Sequence, residues 1–475
     1  MGGLKVSSQE VAQTVAEPKP KPERLLSLDT MRGLTIAGMI LVNNPGSWSY
    51  VWGPLGHAEW DGWTPTDLVF PFFLFMVGVA MTYSFDKRLA QGVTRAALLG
   101  HVVCRAIVLF LLGMILTGFP NFRLITPYIL GIIGLEILLE RPSRKPGAPI
   151  GYMLPLAIAC LVIAVGWFIV DFHYFHSPTT RSSWKDLFPL SSDPKNGSFI
   201  RVPGVLQRIA LCYVAAALIM MQTSNVRARV AWILFLISLY WVVMTFVDAP
   251  PNYQIGGGAP GIVVDAPPTA YYNGRLNDWI DTTLLDQHLY KHRPDPEGIL
   301  STIPAIATTL IGILTGTWLR SKKRSQHEKV AGMMVVGFAL LVLGAIFDLF
   351  FPINKKIWTS SYVVFTGGWA MLCLGFCYYT IDILGWRKWA IPFLVFGTNA
   401  ITAFFASGLL ARILGLTSWT GPDGKTVNLK TYSFNALHSV IQHPYWASHL
   451  WAVGFVILWL LLLTPLYRKR IFIRV

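Results

Sequence analysis

Long apolar runs with few charges recur along the chain, separated by stretches rich in Gly, Pro, Trp and basic side chains. A helix rises about 1.5 Å per residue, so a run of about eighteen residues crosses a hydrocarbon layer of ~30 Å. About twelve helices are predicted, over residues 33–45, 66–85, 101–118, 122–139, 150–170, 203–222, 229–247, 299–319, 330–350, 358–382, 389–411 and 447–466. The expected fold is an all-α polytopic membrane protein, a bundle forming one transmembrane domain over 25–475. Residues 1–24, polar and rich in Pro, Lys and Glu, are expected to be a disordered tail with no cleaved leader. The longer connections, near 46–65, 171–202, 248–298 and 412–446, are rich in Trp, Tyr, Gly, Pro and Asn and read as substrate-contacting loops on the outer side.

Composition sharpens this picture. Over 475 residues, 53% are hydrophobic and 13% charged, with a mean hydropathy of +0.51, which excludes a soluble enzyme or a disordered scaffold. The net charge of +15 lies in short clusters at helix ends rather than in one stripe, so it points to phospholipid and not to nucleic acid. If the N-terminus is inside, 24 of the 39 Lys and Arg fall on that side and 13 on the other, with Arg105 and Arg208 within helices. Both termini are therefore predicted to be cytoplasmic. The five cysteines lie in apolar runs, and neither a disulfide framework nor a metal site is expected.

The densest unusual stretch runs from Asn43 to Phe75. His57 stands there among aromatic residues and glycines, just before a helix with Thr64 or Thr66 as its N-cap and Pro65 and Asp67 in its first turn. A neutral imidazole is both a nucleophile and a general base near neutrality, and Asp67 is placed to orient it. The competing reading makes His57, Trp60 and their neighbours an interfacial aromatic belt, with Asp67 favouring the helix dipole. Asn43 offers an amide to a developing oxyanion, or simply caps the first helix.

Ionisable residues inside apolar runs are harder to dismiss, because a charge at a helix centre costs about 2.5–3.5 kcal/mol even on lenient scales. Arg208 is read as lining a cavity, while Arg105 and Glu136 are read as structural. Asp295 and Glu297 precede a helix and complement its dipole, or Glu297 binds an amine. Asn354, Lys355, Trp358, Ser361 and Tyr362 form a polar strip entering the tenth helix. Asn399, inside the eleventh, is either a packing hydrogen bond or a cavity wall.

Taken in order, RLLSLDTMRGLTIAGMILVN, HAEWDGWTPTDLVFPFFLFMVG, RVPGVLQRIALCY, LNDWIDTTLLDQHLYKHRPDPEGILSTIPAI, PINKKIWTSSYV and YRKRIF resemble the heparan-alpha-glucosaminide N-acetyltransferase family, from about residue 24 to the C-terminus. The resemblance implies transfer of acetyl from cytoplasmic acetyl-CoA across the membrane to the amine of a glucosamine-type sugar or glycan outside. It implies His57 as the active histidine, Asn43 as its partner, a multi-pass place in the bacterial inner membrane, and a homodimer. The chain departs from the family in lacking its luminal N-terminal domain and first helix. The loop between Asn43 and His57 is also longer, and 122–170 reads as an inserted helix pair.

On this reading Asp67, Trp60, Glu297, Asn354 and Trp358 face the acceptor. Arg32, Arg387 and Lys388 meet the phosphates of coenzyme A, Arg208 lies deeper, and Ser361, Tyr362 and Asn399 line the donor's path. The pantetheine arm is shorter than the membrane is thick, so His57 is expected to dip toward the midplane in a protein-lined cavity. His57 either carries acetyl covalently or deprotonates the amine in a ternary complex; the second needs no water-stable acyl-imidazole. An O-acyltransferase of envelope glycans and an amino-sugar transporter are the alternatives.

Overall fold

Leu-, Val-, Ile- and Phe-rich stretches with few breakers between Gly and Pro punctuation become long helices, as helix propensity and backbone satisfaction in an apolar medium require. The computed structural model describes residues 25–140, 153–174, 191–193, 198–199, 201–223, 225–258, 261–285, 288–420, 424 and 426–473. The expected tail and most of the 171–202 loop lie outside these residues. In chain order the helices are α1 (Leu26–Asn43), α2 (Val69–Ala90), α3 (Arg95–Gly118), α4 (Phe122–Glu140), α5 (Met153–Tyr174), α6 (Val205–Gln222), α7 (Val226–Phe246) and α8 (Arg275–Leu285). They continue as α9 (Thr302–Leu319), α10 (Gln326–Asp348), α11 (Ser360–Cys377), α12 (Ile391–Thr398), α13 (Ala400–Leu416), α14 (Leu429–Ile441) and α15 (Pro444–Arg468).

Among the described residues eight helices are long and apolar enough to cross a membrane, and the bent pair α12–α13 makes a ninth. Twelve spans are not confirmed among these residues: α1 opens on the polar residues Ser27, Asp29, Thr30 and Arg32, and of α4 and α5 the apolar parts described are Ile125–Leu138 and Pro155–Trp167. The expected helix over 389–411 is broken by 74° at Asn399. The Asn399 amide is taken up by the chain end: Nδ2 donates to Ile471 O at 3.1 Å and Oδ1 accepts from Ile473 N at 2.8 Å. That favours its reading as a structural hydrogen bond.

Two of the longer connections also carry structure of their own. Residues 248–298 contain α8 and a parallel pairing of Val263–Val264 with His292–Arg293, and 412–446 contains a hairpin of Ser418–Thr420 with Thr426–Asn428 followed by α14.

Small residues set the central contacts. A Cβ on Gly78 would lie 2.0 Å from Thr309 O, and one on Gly312 would lie 2.0 Å from Phe75 O, so α2 and α9 touch backbone to backbone. α1 and α12 meet in the same way through Gly33 against Phe393 O and Gly397 against Asp29 O. α11 packs on α2, α9 and α10, whereas α5 leans chiefly on α4, leaving the inserted pair at the periphery.

Contacts between helix ends define one pole of the bundle. Tyr362 at the start of α11 reaches Asp67 O before α2, and Arg208 at the start of α6 reaches Gly298 O before α9. Ser448 at the start of α15 binds Ser47 after α1, and Asn354 after α10 binds Asp61. At the other pole, Asp382 accepts from Leu26 N and Ser27 N, and Arg320 after α9 pairs with Asp86 of α2.

Candidate active site

The first pole gathers the residues with chemistry, and the 56–68 segment builds its centre. Thr64 and Asp67 form a reciprocal capping box around a 3₁₀ turn, Pro65–Leu68, with proline at its start where a missing N–H is tolerated. Asp67 Oδ2 accepts from Ala58 N and Thr64 N, both at 3.0 Å, and its Oδ1 lies 2.6 Å from His57 Nδ1. A carboxylate already accepting backbone N–H groups needs a donor at its other oxygen. Nδ1 therefore carries the hydrogen, and Nε2 presents its lone pair. The His57 side chain is 40% exposed while Asp67 is 1% exposed, so the orienting group is locked and the reactive edge is open. Thr64 Oγ1 donates to Gly56 O at 2.7 Å and Thr66 Oγ1 to Pro54 O at 3.1 Å, fastening the loop before His57 to the same turn.

The dyad sits just before α2 and beside the start of α11, where Tyr362 reaches Asp67 O. Beneath it the rings close up. Trp358, 1% exposed, meets Phe70 at 5.1 Å and Tyr362 at 5.2 Å, both edge to face, and the Arg208 guanidinium lies 5.1 Å from its ring centre. Trp358 has φ +51°, a left-handed backbone that costs an aromatic residue about 1–3 kcal/mol and tends to mark functional positions.

Arg208 is 1% exposed. It donates through Nη2 to Gly298 O at 2.9 Å and to Ser301 Oγ, but Nε and Nη1 are buried without a hydrogen-bond partner. Nearby, Asp281 Oδ1 accepts from Ile299 N at 2.8 Å while Oδ2 is buried and unpartnered. Burial, helped by Asp295 and Asp278 and opposed by the Ile299 N–H and Arg208, pushes the Asp281 carboxyl up to about 8.

The remaining expected residues divide. Glu297 is not held open for an amine, because it pairs with Arg201, which also binds Asp295 through Nε at 3.0 Å. Burial raises the Glu297 carboxyl, but Arg201, Lys355 and Arg208 outweigh it and hold it below its ordinary value. Burial pulls the Lys355 ammonium down, against the attraction of Glu297 and Asp67. Asn354 Nδ2 donates to Asp61 Oδ1 at 3.2 Å, and its Oδ1 accepts from Ile357 N at 3.1 Å. Ser361 is fully buried against Thr359. Trp60 is buried in a cluster with Tyr240, Tyr272 and Phe351, so the expected sugar contact there gives way to packing. Asn43 is exposed at the end of α1, while its neighbour Asn44 is buried and donates to Ile40 O at 2.8 Å.

The expected donor-binding set is split between poles. Tyr362, Ser361 and Arg208 stand beside the dyad. Arg387 and Lys388 are exposed at the other pole, and Arg32, bonded to Asp29 at 3.3 Å, begins α1 there. The span Ser360–Ile383 separating them has 24 residues, about 36 Å at helical rise. Arg201 and Asp281 were not singled out from sequence, although both lie in stretches quoted for the resemblance. The signal available was a basic residue seven positions before Arg208 and an acidic residue on α8 three positions after Asp278. Among the described residues no group of three His, Cys, Asp or Glu is arranged to hold a metal ion.

Comparison with known proteins gives the chemistry a context. Residues 24–191, which include the dyad, match the family model described as heparan-alpha-glucosaminide N-acetyltransferase, catalytic. The human protein named heparan-alpha-glucosaminide N-acetyltransferase is 26% identical over 491 aligned positions, covering 95% of this chain and 60% of the relative. Its mouse counterpart is 25% identical over 489, covering 94% and 60%. The chain thus spans about 60% of the length of the curated relatives it matches.

Proposed function

From the match of residues 24–191 to the heparan-alpha-glucosaminide N-acetyltransferase family model we propose that the chain is a member of that family and transfers acetyl from acetyl-CoA to the amine of a glucosamine-type sugar at the His57–Asp67 dyad. The observation that carries this reading is the 2.6 Å contact between His57 Nδ1 and the buried Asp67, on a ring whose other edge is open. A carboxylate on Nδ1 holds the imidazole in one tautomer and stabilises the imidazolium that forms when Nε2 takes a proton, the logic of an oriented base.

In the proposed step the amine nitrogen attacks the thioester carbonyl as Nε2 removes its proton. The tetrahedral intermediate collapses with cleavage of the C–S bond, and the proton on His57 passes to the departing sulfur, releasing coenzyme A thiol and the acetamido sugar. Lys355 supplies positive charge beside the developing oxyanion. Asn43 stays a candidate donor, on condition that its exposed amide turns inward when substrate binds.

Sidedness follows the charge distribution. Arg32, Arg387 and Lys388 mark the basic pole, which we assign to the cytoplasm and to entry of the donor, and the acceptor arrives at the opposite pole. Because the pantetheine arm is shorter than the about 36 Å between the poles, the donor's head must move inward past these residues for its thioester to reach His57. The packed rings of Phe70, Trp358 and Tyr362 lie near the dyad, so bringing the thioester to His57 requires them to shift, a conformational step of the kind that commonly limits turnover. The test incubates purified protein with labelled acetyl-CoA and a panel of amino sugars and identifies products by mass. Acetamido product is expected. Acetate release alone, or sugar uptake into vesicles without acetylation, contradicts the reading.

A further inference from the structure

A second imidazole is oriented in the way His57 is. The parallel pairing of Val263–Val264 with His292–Arg293 is extended by Val263 N donating to Lys291 O and Asp265 N to Arg293 O, both at 2.9 Å, which sets Asp265 beside His292. Asp265 Oδ1 lies 2.9 Å from His292 Nδ1, and its Oδ2 lies 3.3 Å from Lys356 Nζ. With a cation on one carboxylate oxygen, the other holds the hydrogen on Nδ1, and His292 Nε2 presents a lone pair. The His292 side chain is 45% exposed against 13% for Asp265, so this pair too joins a held carboxylate to an open imidazole edge. The Tyr290 ring stacks on His292 at 5.2 Å, the Arg201 guanidinium lies 4.5 Å from the centre of that phenol, and Lys291 is exposed beside them. Lys356 ties this pair to the first dyad, because its Nζ also donates to Glu59 O at 2.6 Å, two residues past His57. Gly62 N donates to Ile353 O at 2.7 Å and Asn354 Nδ2 to Asp61, so the segment after His57 runs along the strip that carries Lys356.

Acetyl transfer to an amine leaves one proton that His57 does not move. An amine with electron-withdrawing neighbours titrates near about 8, as an α-amino group does, so at neutral pH it arrives mostly as an ammonium with no lone pair to attack. Ammonium and acetyl-CoA give the acetamide, coenzyme A thiol and one further proton. His57 carries the proton that ends on sulfur, and the other must leave before the nitrogen attacks. Resting on the acetyltransferase reading, we propose that His292, held by Asp265, is the base that takes this first proton. The ammonium N–H bond breaks, its electron pair stays on nitrogen, and the proton moves to His292 Nε2. Asp265 stabilises the imidazolium, and the exposed edge of the ring passes the proton to solvent. Separate imidazoles let the surplus proton leave while His57 stays unprotonated for the attack, and the Lys356 bridge keeps the two at one mouth.

The test follows kcat/KM for glucosamine from pH 7 to pH 9 in purified wild type, His292→Gln and Asp265→Asn, with thermal stabilisation by acetyl-CoA as the check that each is folded. Gln keeps an N–H for Asp265 but takes up no proton. Without the base only neutral amine reacts, about a tenth of the total at pH 7 for an amine titrating near 8. His292→Gln is therefore expected to fall to about a tenth of wild type at pH 7 and to come within twofold of it at pH 9, where the amine enters neutral. Asp265→Asn should follow the same trend with a smaller deficit. A ratio of His292→Gln to wild type that stays constant from pH 7 to pH 9 overturns the proposal, whether it stays near one or at a loss, since a constant loss is what a merely structural pair gives. Should His292→Gln fail to fold, Asp265→Asn decides by the same ratio. A wild type that acetylates no amine at any pH overturns the acetyltransferase reading and this proposal together, whereas an active wild type with a flat ratio removes His292 alone.

Discussion

At the scale of single residues, the account rests on an imidazole whose orientation is fixed by a buried carboxylate. Asp67→Asn keeps the size of the side chain, but presents Nδ1 with an amide in place of a full negative charge. Steady-state assays should find kcat lowered by about a hundredfold or more, with KM for acetyl-CoA little changed; a kcat within threefold of wild type would remove Asp67 from the mechanism.

Asp281 gives a second residue-scale prediction, about stability. Its carboxyl is raised to about 8 in the folded protein by burial first and by Asp295 and Asp278 next. Between the ordinary carboxylate range and pH 8 the native state holds a proton that the unfolded chain has lost, so this residue's contribution falls as pH rises and levels off above 8. Asp281→Asn retains an acceptor for Ile299 N and cannot ionise. Thermal unfolding in detergent should show the variant gaining on wild type from pH 5 to pH 8, and a constant difference across that window contradicts the assignment.

His57, Asp67, Trp358 and Tyr362 were legible in the sequence because they combine an unusual residue type with a helix start. Trp60 misled because an aromatic beside a candidate histidine looks the same whether it faces a ligand or a core, and only long-range contacts with Tyr240 and Tyr272 decide. Arg201 escaped notice because its partners, Asp295 and Glu297, are nearly a hundred residues away.

At the scale of elements, apolar period and charge spacing located nearly every long helix, since burial in lipid or protein demands an uninterrupted ladder of backbone hydrogen bonds. They failed where a break is satisfied from afar. The 74° bend at Asn399 is supported by the backbone of residues 471 and 473, which no local pattern announces. Asn399→Leu should release the chain end while sparing the α2–α9 core, read as faster hydrogen exchange near residue 471 with similar thermal stability. The α2–α9 contact is the opposite case. Gly312→Leu drives a side chain into Phe75 O and should destabilise by at least about 1–3 kcal/mol, seen as a lower unfolding temperature or as loss of monodisperse protein; wild-type stability in that variant would contradict the packing.

For the whole molecule, the two poles differ in charge and in aromatic content, and the proposed direction of transfer follows from that difference. Impermeant maleimide applied to intact cells should label Ser49→Cys, in the aromatic loop, and spare Ser321→Cys, in the basic turn after α9. The reversed pattern would invert the donor and acceptor sides while leaving the dyad chemistry untouched.

The central claim is that one imidazole, held by Asp67, performs acetyl transfer. Purified wild type and His57→Ala are to be compared with labelled acetyl-CoA and glucosamine, alongside the thermal stabilisation that acetyl-CoA confers on each. The account predicts that transfer falls by about a thousandfold or more in the variant while stabilisation by acetyl-CoA persists. A folded His57→Ala protein that acetylates glucosamine within tenfold of the wild-type rate would contradict it.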